Sequence, residues 1–180
     1  MNNIVMGLDT ASSRLHYFCT FPLAGEGEGT QYGGFHAADK TSKDEQRQEL
    51  YEMAHRLFGV LHETGSEEHK KCHIFCEEPL ALKNGKTTRL LALAAGAIWA
   101  ANLDYNIWWH WVDVASWKKA IVGRGNASKE DVANYCWGNP AFQHEVKDPH
   151  IDQDIYDAWC LKVYGVQFVT LSDSVAKKGV

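Results

Sequence analysis

The sequence predicts a single α/β domain over residues 1–180, built on a mixed five-stranded sheet with three antiparallel and two parallel strands and with helices on both faces. Three observations lead to this fold class. Three apolar segments of strand length fall within the first forty residues. Two further apolar segments alternate with stretches whose apolar residues recur at helical spacing. The length of 180 residues, 45% of them hydrophobic, suits one core.

The first three strands are expected to pair antiparallel. Residues 4–8 form a short apolar run, and residues 15–23 and 31–37 flank a Gly/Glu turn at 25–29. The polar stretch 41–45 then predicts the start of a helix, because apolar residues recur at helical spacing behind it.

The rest of the chain predicts strands that alternate with helices. Strands are expected at 73–76, ended by Pro79, and at 106–112. Helices are expected in four places: from a cap at Thr87 or Thr88 to about 102, a short turn at 116–121, a segment capped by Ser128 after a glycine loop at 123–126, and a last helix from about 152 to 164.

Composition restricts the classes of function. The net charge of -5 disfavours a nucleic-acid protein on average, but residues 83–129 hold seven Lys and Arg, including Lys83, against two Asp. These cations form either a local basic surface or ordinary solvated helix faces and loops. The five cysteines lack a C-x-x-C pair, which indicates reduced thiols rather than a disulfide framework or a Cys-rich zinc site.

Membrane and zinc chemistry are not favoured either. We expect no secretory signal, and the longest apolar run, 90–103, is short for a bilayer. No H-E-x-x-H pair occurs among five scattered histidines, so a zinc hydrolase has little support. These five are His69, His73, His110, His144 and His150.

Acidic residues follow two of the predicted strands and begin the last helix. Asp9 directly follows the first strand, and Glu77 and Glu78 follow the fourth; only one of the two glutamates can share the face of Asp9. Asp154 and Asp157, spaced i and i+3, project from one side of the last helix. Taken singly, each of these acidic residues is also explained by a structural role as a cap, as a turn residue or as a favourable charge at a helix N-terminus. If the helix lies near the first strand, however, the cluster needs a hard divalent cation, Mg²⁺ or Mn²⁺.

Two segments resemble the RuvC family of Holliday-junction resolvases, within the ribonuclease-H-like superfamily. Residues 118–132, KKAIVGRGNASKEDV, are similar to the family's basic K-x-x-V-x-G-x-G-x-A-x-K segment. Residues 153–158, QDIYDA, are similar to its D-x-x-D-A helix start. The GLD of 7–9 matches the strand of the family's first aspartate, and the FCE of 75–77, followed by Asn84, matches its glutamate strand.

The resemblance implies a ribonuclease-H-like fold and a crossover junction endodeoxyribonuclease of recombination and repair, which resolves Holliday junctions or other branched DNA by paired symmetric nicks. It implies two Mg²⁺ ions per active site, for which Mn²⁺ substitutes. Their ligands and the catalytic residues would be Asp9, Glu77, Asp154 and Asp157. The family spacing selects Glu77 over Glu78.

The resemblance also implies how the DNA and a second subunit are bound. Phosphate contacts are expected from Lys118, Lys119, Arg124 and Lys129, which would select DNA structure rather than sequence. The family acts as a homodimer. The stripe of small residues at Ala92, Gly96 and Ala100, which by itself indicates either packing on the sheet or a subunit contact, becomes a candidate for the dimer interface.

The sequence departs from the family at three places. Thr10-Ala11 and His16-Tyr17 replace Pro-Gly and Thr-Gly, and Leu80 stands where bacterial members often carry an aromatic wedge. The divergence indicates a phage or viral branch, so the expected location is cytoplasmic, in the host if the protein is phage-encoded. Two other functions stay open: a ribonuclease-H-type nuclease on RNA:DNA hybrids, and a catalytically silent DNA-binding protein on the same fold.

Overall fold

A computed structural model describes residues 3–22, 28–39, 42–67, 70–79, 84–105, 107–148 and 150–178. Five strands form one sheet. They are β1 (Asn3–Ala11), β2 (Arg14–Pro22), β3 (Glu28–His36), β4 (Lys71–Glu77) and β5 (Trp108–Val112). The strand order is β3-β2-β1-β4-β5, with β1, β2 and β3 antiparallel and with β4 parallel to both β1 and β5. The predicted mixed sheet is therefore confirmed.

Helices cover both faces of the sheet. They are α1 (Lys43–Glu67), α2 (Gly85–Ala100), α3 (Val114–Ile121), α4 (Lys129–Trp137), α5 (Pro140–Glu145) and α6 (Gln153–Lys178). The start of α1 is fixed by Ser42 and Glu45, whose side chains each accept a hydrogen bond from the other's backbone N–H. The start of α4 is fixed by the same kind of capping box, between Ser128 and Asp131.

Alternate side chains of β1 point to opposite faces of the sheet and contribute to two separate hydrophobic cores. Ile4, Met6 and Leu8 pack in the core that contains α1 and α2. Val5 lies in the other core, with Phe75 of β4 and the buried side chains of α3 to α6. Because residues along a strand alternate in direction, Asp9 shares the face of Val5, which is the α6 side of the sheet.

Helix α6 crosses β1 at Gly7. A Cβ atom on Gly7 would run into the backbone carbonyl oxygen of Ala158 and the backbone nitrogen of Lys162, so only glycine permits this approach. The first turns of α6 consequently lie over β1 near Gly7, which is two residues before Asp9.

Two predictions about helices need correction, and one helix was missed. Asn84, not Thr87 or Thr88, caps α2, because its side chain accepts a hydrogen bond from the Lys86 backbone N–H over 3.0 Å. Helix α5 was not predicted, although Asn139 caps it and Pro140 begins it. The last helix, expected to end at 164, continues to Lys178.

Parts of the sequence analysis fall outside the described residues: the turn at 25–27, His69, Leu80, Lys83 and Asn106. Within the part of the chain that is described, no helix is both long and apolar enough to cross a bilayer.

Candidate active site

The ends of β1 and β4 bring two carboxylates together. The two strands are parallel, and Leu8 is in register with Cys76, so Asp9 and Glu77 are the next residues of neighbouring strands. Glu77 shares the strand face of Phe75, on the α6 side, and its Oε2 accepts a hydrogen bond from Trp117 Nε1 over 3.2 Å. Glu78 is exposed, so of the two glutamates Glu77 is the one beside Asp9.

Helix α6 adds two more carboxylates above this edge of the sheet. Asp154 and Asp157 lie in its first two turns, immediately before Ala158, the residue that contacts Gly7. Asp157 is buried, and its Oδ1 has no hydrogen-bond partner among the described residues. A buried carboxylate oxygen without a partner is rare in folded proteins and indicates a missing cation or solvent contact.

The electrostatics of the four residues show that they form one cluster. Burial raises the pKa of Asp9 well above its usual value, and Glu77, Asp157 and Asp154 add to this rise in that order. Burial, followed by the charge of Asp157, raises the pKa of Glu77 to about 6. Burial also raises the pKa of Asp157 to about 6, against the opposing effect of Lys118 and Lys129.

The donor set fits a hard divalent cation. All four side chains offer carboxylate oxygens, which Mg²⁺ and Mn²⁺ prefer. The unpartnered Asp157 Oδ1 and the upward pKa shifts of Asp9, Glu77 and Asp157 both describe negative charge that lacks a counterion. Asp9, Glu77, Asp154 and Asp157 are the residues that would hold the ion.

The predicted basic residues occupy different places around the cluster. Lys129 is exposed and donates to Asp154 Oδ1 over 3.0 Å, and this bond raises the pKa of Lys129. The Lys118 ammonium donates to the Ala127 carbonyl over 2.9 Å, holding the loop between α3 and α4. Arg124, in that loop, pairs with Asp131, and Lys119 is exposed on α3.

The loop that carries Arg124 needs one special backbone conformation. Gly123 has a φ of 93°, in the left-handed region that side-chain-bearing residues avoid. The turn there ends α3 and allows α4 to start at Lys129, next to the carboxylates. The predicted basic segment therefore borders the acidic cluster along one side.

Sequence reasoning missed the histidines beside the cluster. His16 of β2 pairs with Asp9 of β1 across the antiparallel ladder. Asp9, His16 and Asp154 each place one ligand atom within 4.8 Å of the others. In the structure a two-residue turn at 12–13 fixes the register of β1 and β2 and so places residue 16 opposite residue 9.

The fold was compared with known proteins. No family model and no curated protein matches the chain in sequence. In structure it is similar to RuvC of Thermus thermophilus, with a TM-score of 0.68 and 16% identity over 94% of this chain and 96% of that one. It is also similar to T. thermophilus RuvC in complex with Holliday junction substrate, with a TM-score of 0.72, 16% identity and the same two shares.

A third similar structure is the yeast mitochondrial Holliday junction resolvase Ydc2, with a TM-score of 0.51 and 12% identity over 89% of this chain and 78% of that one. The chain therefore has a RuvC-like fold. This confirms the predicted ribonuclease-H-like fold class.

Proposed function

We propose that the chain is a single nuclease domain that cuts Holliday junctions or other branched DNA in a divalent-metal-dependent reaction, by paired symmetric nicks. The observation that carries this proposal is the convergence of Asp9, Glu77, Asp154 and Asp157 at one edge of the sheet, with Asp157 Oδ1 buried and unpartnered among the described residues. The RuvC-like fold and a basic segment along the cluster support it.

Acidic residues of the chain would bind the metal ions, and basic residues would bind DNA phosphates. When bound, two Mg²⁺ ions supply Lewis-acid stabilisation of phosphate charge and a more acidic water. The four carboxylates would hold the ions, and the hydrogen bond from Trp117 fixes the orientation of Glu77. Lys119 and Arg124, both exposed, would contact DNA phosphates and so position the junction without reading its bases.

Lys129 would change partner when DNA and metal bind. Its ammonium bonds Asp154 Oδ1 in the structure, so it neutralises one carboxylate of the cluster. Lys129, which is exposed, would be free to contact a phosphate once Asp154 had another counterion. The partner substrate proposed here is branched DNA, as in the T. thermophilus RuvC complex with Holliday junction substrate.

We further propose a homodimer formed through α2. The stripe of small residues on α2 does not pack on the sheet, since the buried residues of this helix are Ala94, Ala95 and Ile98. Gly96 instead faces outward: no described atom lies within 4 Å of the place that a Cβ on this residue would take, and Leu93 and Trp99 beside it are exposed. An exposed apolar helix face with a glycine at its centre permits close approach of a second copy.

We place the protein in the cytoplasm, the host's if it is phage-encoded. All five cysteines are free and buried, which suits a reducing compartment.

The nuclease proposal is tested with a synthetic four-way junction and Mg²⁺. Asp9→Asn, Glu77→Gln and Asp157→Asn should each abolish paired nicking while junction binding in Ca²⁺ is kept. Glu78→Gln is the matched control, because this neighbouring glutamate is exposed, and it should cleave normally. Equal cleavage by Glu77→Gln and Glu78→Gln would contradict the proposal. Preferred cutting of an RNA:DNA hybrid would favour the ribonuclease alternative. Binding of the junction without any cutting would favour a catalytically silent DNA-binding protein.

The dimer is tested by light scattering. The native chain should show twice the 20.2 kDa of one copy, and Gly96→Glu should be a monomer. Gly85→Glu is the control, since this glycine of the same helix is equally open but lies at its start. A native monomer at micromolar concentration would refute the dimer and leave the nuclease proposal standing.

A further inference from the structure

A second group of ligating side chains lies beside the carboxylate cluster. It consists of His16 on β2, His36 at the end of β3 and Asp152 just before α6. His16 Nε2 is 3.3 Å from His36 Nε2 and 3.4 Å from Asp152 Oδ2, and His36 Nε2 is 3.8 Å from the same oxygen. Three ligand atoms from three separate elements therefore meet at one point.

The position of His16 is built into the sheet. Its side chain is 3% exposed, and its ring lies across Gly34, the residue opposite it on β3. A Cβ on Gly34 would collide with the His16 ring. The missing side chain thus provides the space through which the ring reaches His36, and the imidazole is held in place before any ligand arrives.

The three spacings match a metal coordination sphere. A tetrahedral zinc ion with ligands at about 2.0–2.1 Å keeps its ligand atoms about 3.3–3.4 Å apart. Two of the three observed distances, 3.3 and 3.4 Å, agree with this value, and the third, 3.8 Å, ends on His36, whose side chain is half exposed and free to adjust. Two imidazoles and one carboxylate suit zinc and similar borderline ions better than Mg²⁺.

The charged side chains at the group include Asp152 and the neighbouring Arg14. His16 and His36 each direct Nε2 into the group, and the nitrogen of a neutral imidazole is a common metal ligand. With neutral imidazoles the group carries one net negative charge, and Arg14, across the ladder from His36, is the cation that faces it.

We propose that His16, His36 and Asp152 form a binding site for a divalent transition ion of the zinc type, separate from the carboxylate cluster. A metal on His16 Nε2 leaves the proton on Nδ1, which lies 3.6 Å from Asp154 Oδ2. This contact is electrostatic, because 3.6 Å is too long for a hydrogen bond. The ion would join β2, β3 and the start of α6, two residues before Asp154. This site goes beyond the proposed nuclease activity and does not depend on it.

The test measures zinc binding directly. Isothermal titration with Zn²⁺, in excess Mg²⁺ that occupies the carboxylate cluster, should show one zinc per chain in the native protein. His36→Ala and Asp152→Asn should each weaken this binding at least about tenfold, because each removes one of three ligands. Both side chains are partly exposed, so the folded state is retained, which circular dichroism checks. Co²⁺ in place of Zn²⁺ should give the visible absorption of a low-symmetry site in the native protein alone.

Two controls separate this site from its neighbours. His55→Ala removes a histidine that also contacts a carboxylate, Asp104 Oδ2 at 3.1 Å, but lacks a second imidazole ligand, and should leave zinc binding unchanged. Asp9→Asn damages the carboxylate cluster and should also leave it unchanged. Zinc that is lost in Asp9→Asn but kept in His36→Ala lies on Asp9, His16 and Asp154, and overturns the proposal. Zinc that is absent, or displaced by Mg²⁺, overturns it equally.

Discussion

Replacing Asp157 by Asn should stabilise the metal-free protein while it removes metal-dependent cleavage. Asp157 is buried, and its pKa rises from 3.8 to about 6 because burial penalises the carboxylate. A difference of about two pKa units corresponds to about 3 kcal/mol lost from the free energy of unfolding once the group is ionised. The buried amide keeps part of the desolvation penalty, so we expect a gain of about 1–3 kcal/mol.

The gain in stability from Asp157→Asn should depend on pH, in a direction set by the raised pKa of Asp157. Between the unfolded pKa near 4 and the folded pKa of about 6 the native state holds more protons than the unfolded state, so stability falls as the pH rises through that window. The difference between Asp157→Asn and the native chain should therefore be absent below about pH 4 and complete above about pH 7.

Thermal unfolding in EDTA measures the effect. At about 2–4 °C per kcal/mol for a chain of this size, the melting temperature of Asp157→Asn should lie about 2–12 °C above that of the native protein at neutral pH. Mg²⁺ should raise the melting temperature of the native protein and have a smaller effect on the variant. Asp104→Asn, at an exposed carboxylate, is the control and should show neither change. A variant less stable than the native chain in EDTA would refute the account of an uncompensated buried charge.

Three further predictions concern the supports of the site. Gly7→Ala should lower the free energy of unfolding by about 3 kcal/mol or more in urea titrations, because its Cβ meets the Ala158 carbonyl. Lys119→Ala should weaken junction binding equally on unrelated sequences and reduce the slope of log K against log salt by about one. Trp117→Phe removes the hydrogen bond that lowers the pKa of Glu77, so the acid limb of the pH–activity profile should move to higher pH.

The strands could be predicted because each depends on local pattern. Short apolar runs bounded by turn residues or proline identify a buried strand wherever it lies in the sheet. Asp9 and Glu77 were found for the same reason, since both follow apolar runs of a parallel pair whose register ends at one edge. Asp9 was expected to follow the first strand, but it lies within β1, because pairing with β2 extends that strand to Ala11. The choice of Glu77 over Glu78 rested on the family spacing, and in the structure Glu77 is bonded to Trp117 on the α6 side whereas Glu78 is exposed.

The length of α6 could not be predicted from the sequence, because Gly165 in this helix is required by a contact with a distant strand. Gly165 follows residue 164, the predicted end of the helix, and glycine commonly stands just after a helix C-terminus. In the structure it lies within the helix, where a Cβ would collide with the ring of Phe75 on β4. The glycine therefore serves the packing of the helix on the sheet and does not end it. Asn139 and Pro140, by contrast, were local signals for α5 that could have been recognised.

The histidine site was missed for a different reason: it depends on register across three strands. His16 pairs with Asp9 on one side and with Gly34 on the other, and neither relation is visible until both ladders are aligned. Motif searches for zinc ligands look for histidines close together in sequence, whereas His16 and His36 lie on neighbouring strands twenty residues apart.

Both sites depend on the contact at Gly7, and this makes their relation testable. Asp152 and Asp157 belong to the same end of α6, so the crossing that brings Asp157 toward Asp9 also sets Asp152 against His16. A change that moves α6 along the sheet must disturb the two sites together, whereas a change at His36 disturbs only one. Gly7→Ala should consequently weaken Zn²⁺ and Mg²⁺ binding together even where the variant still folds, because the ligands of each site come from both sides of that crossing.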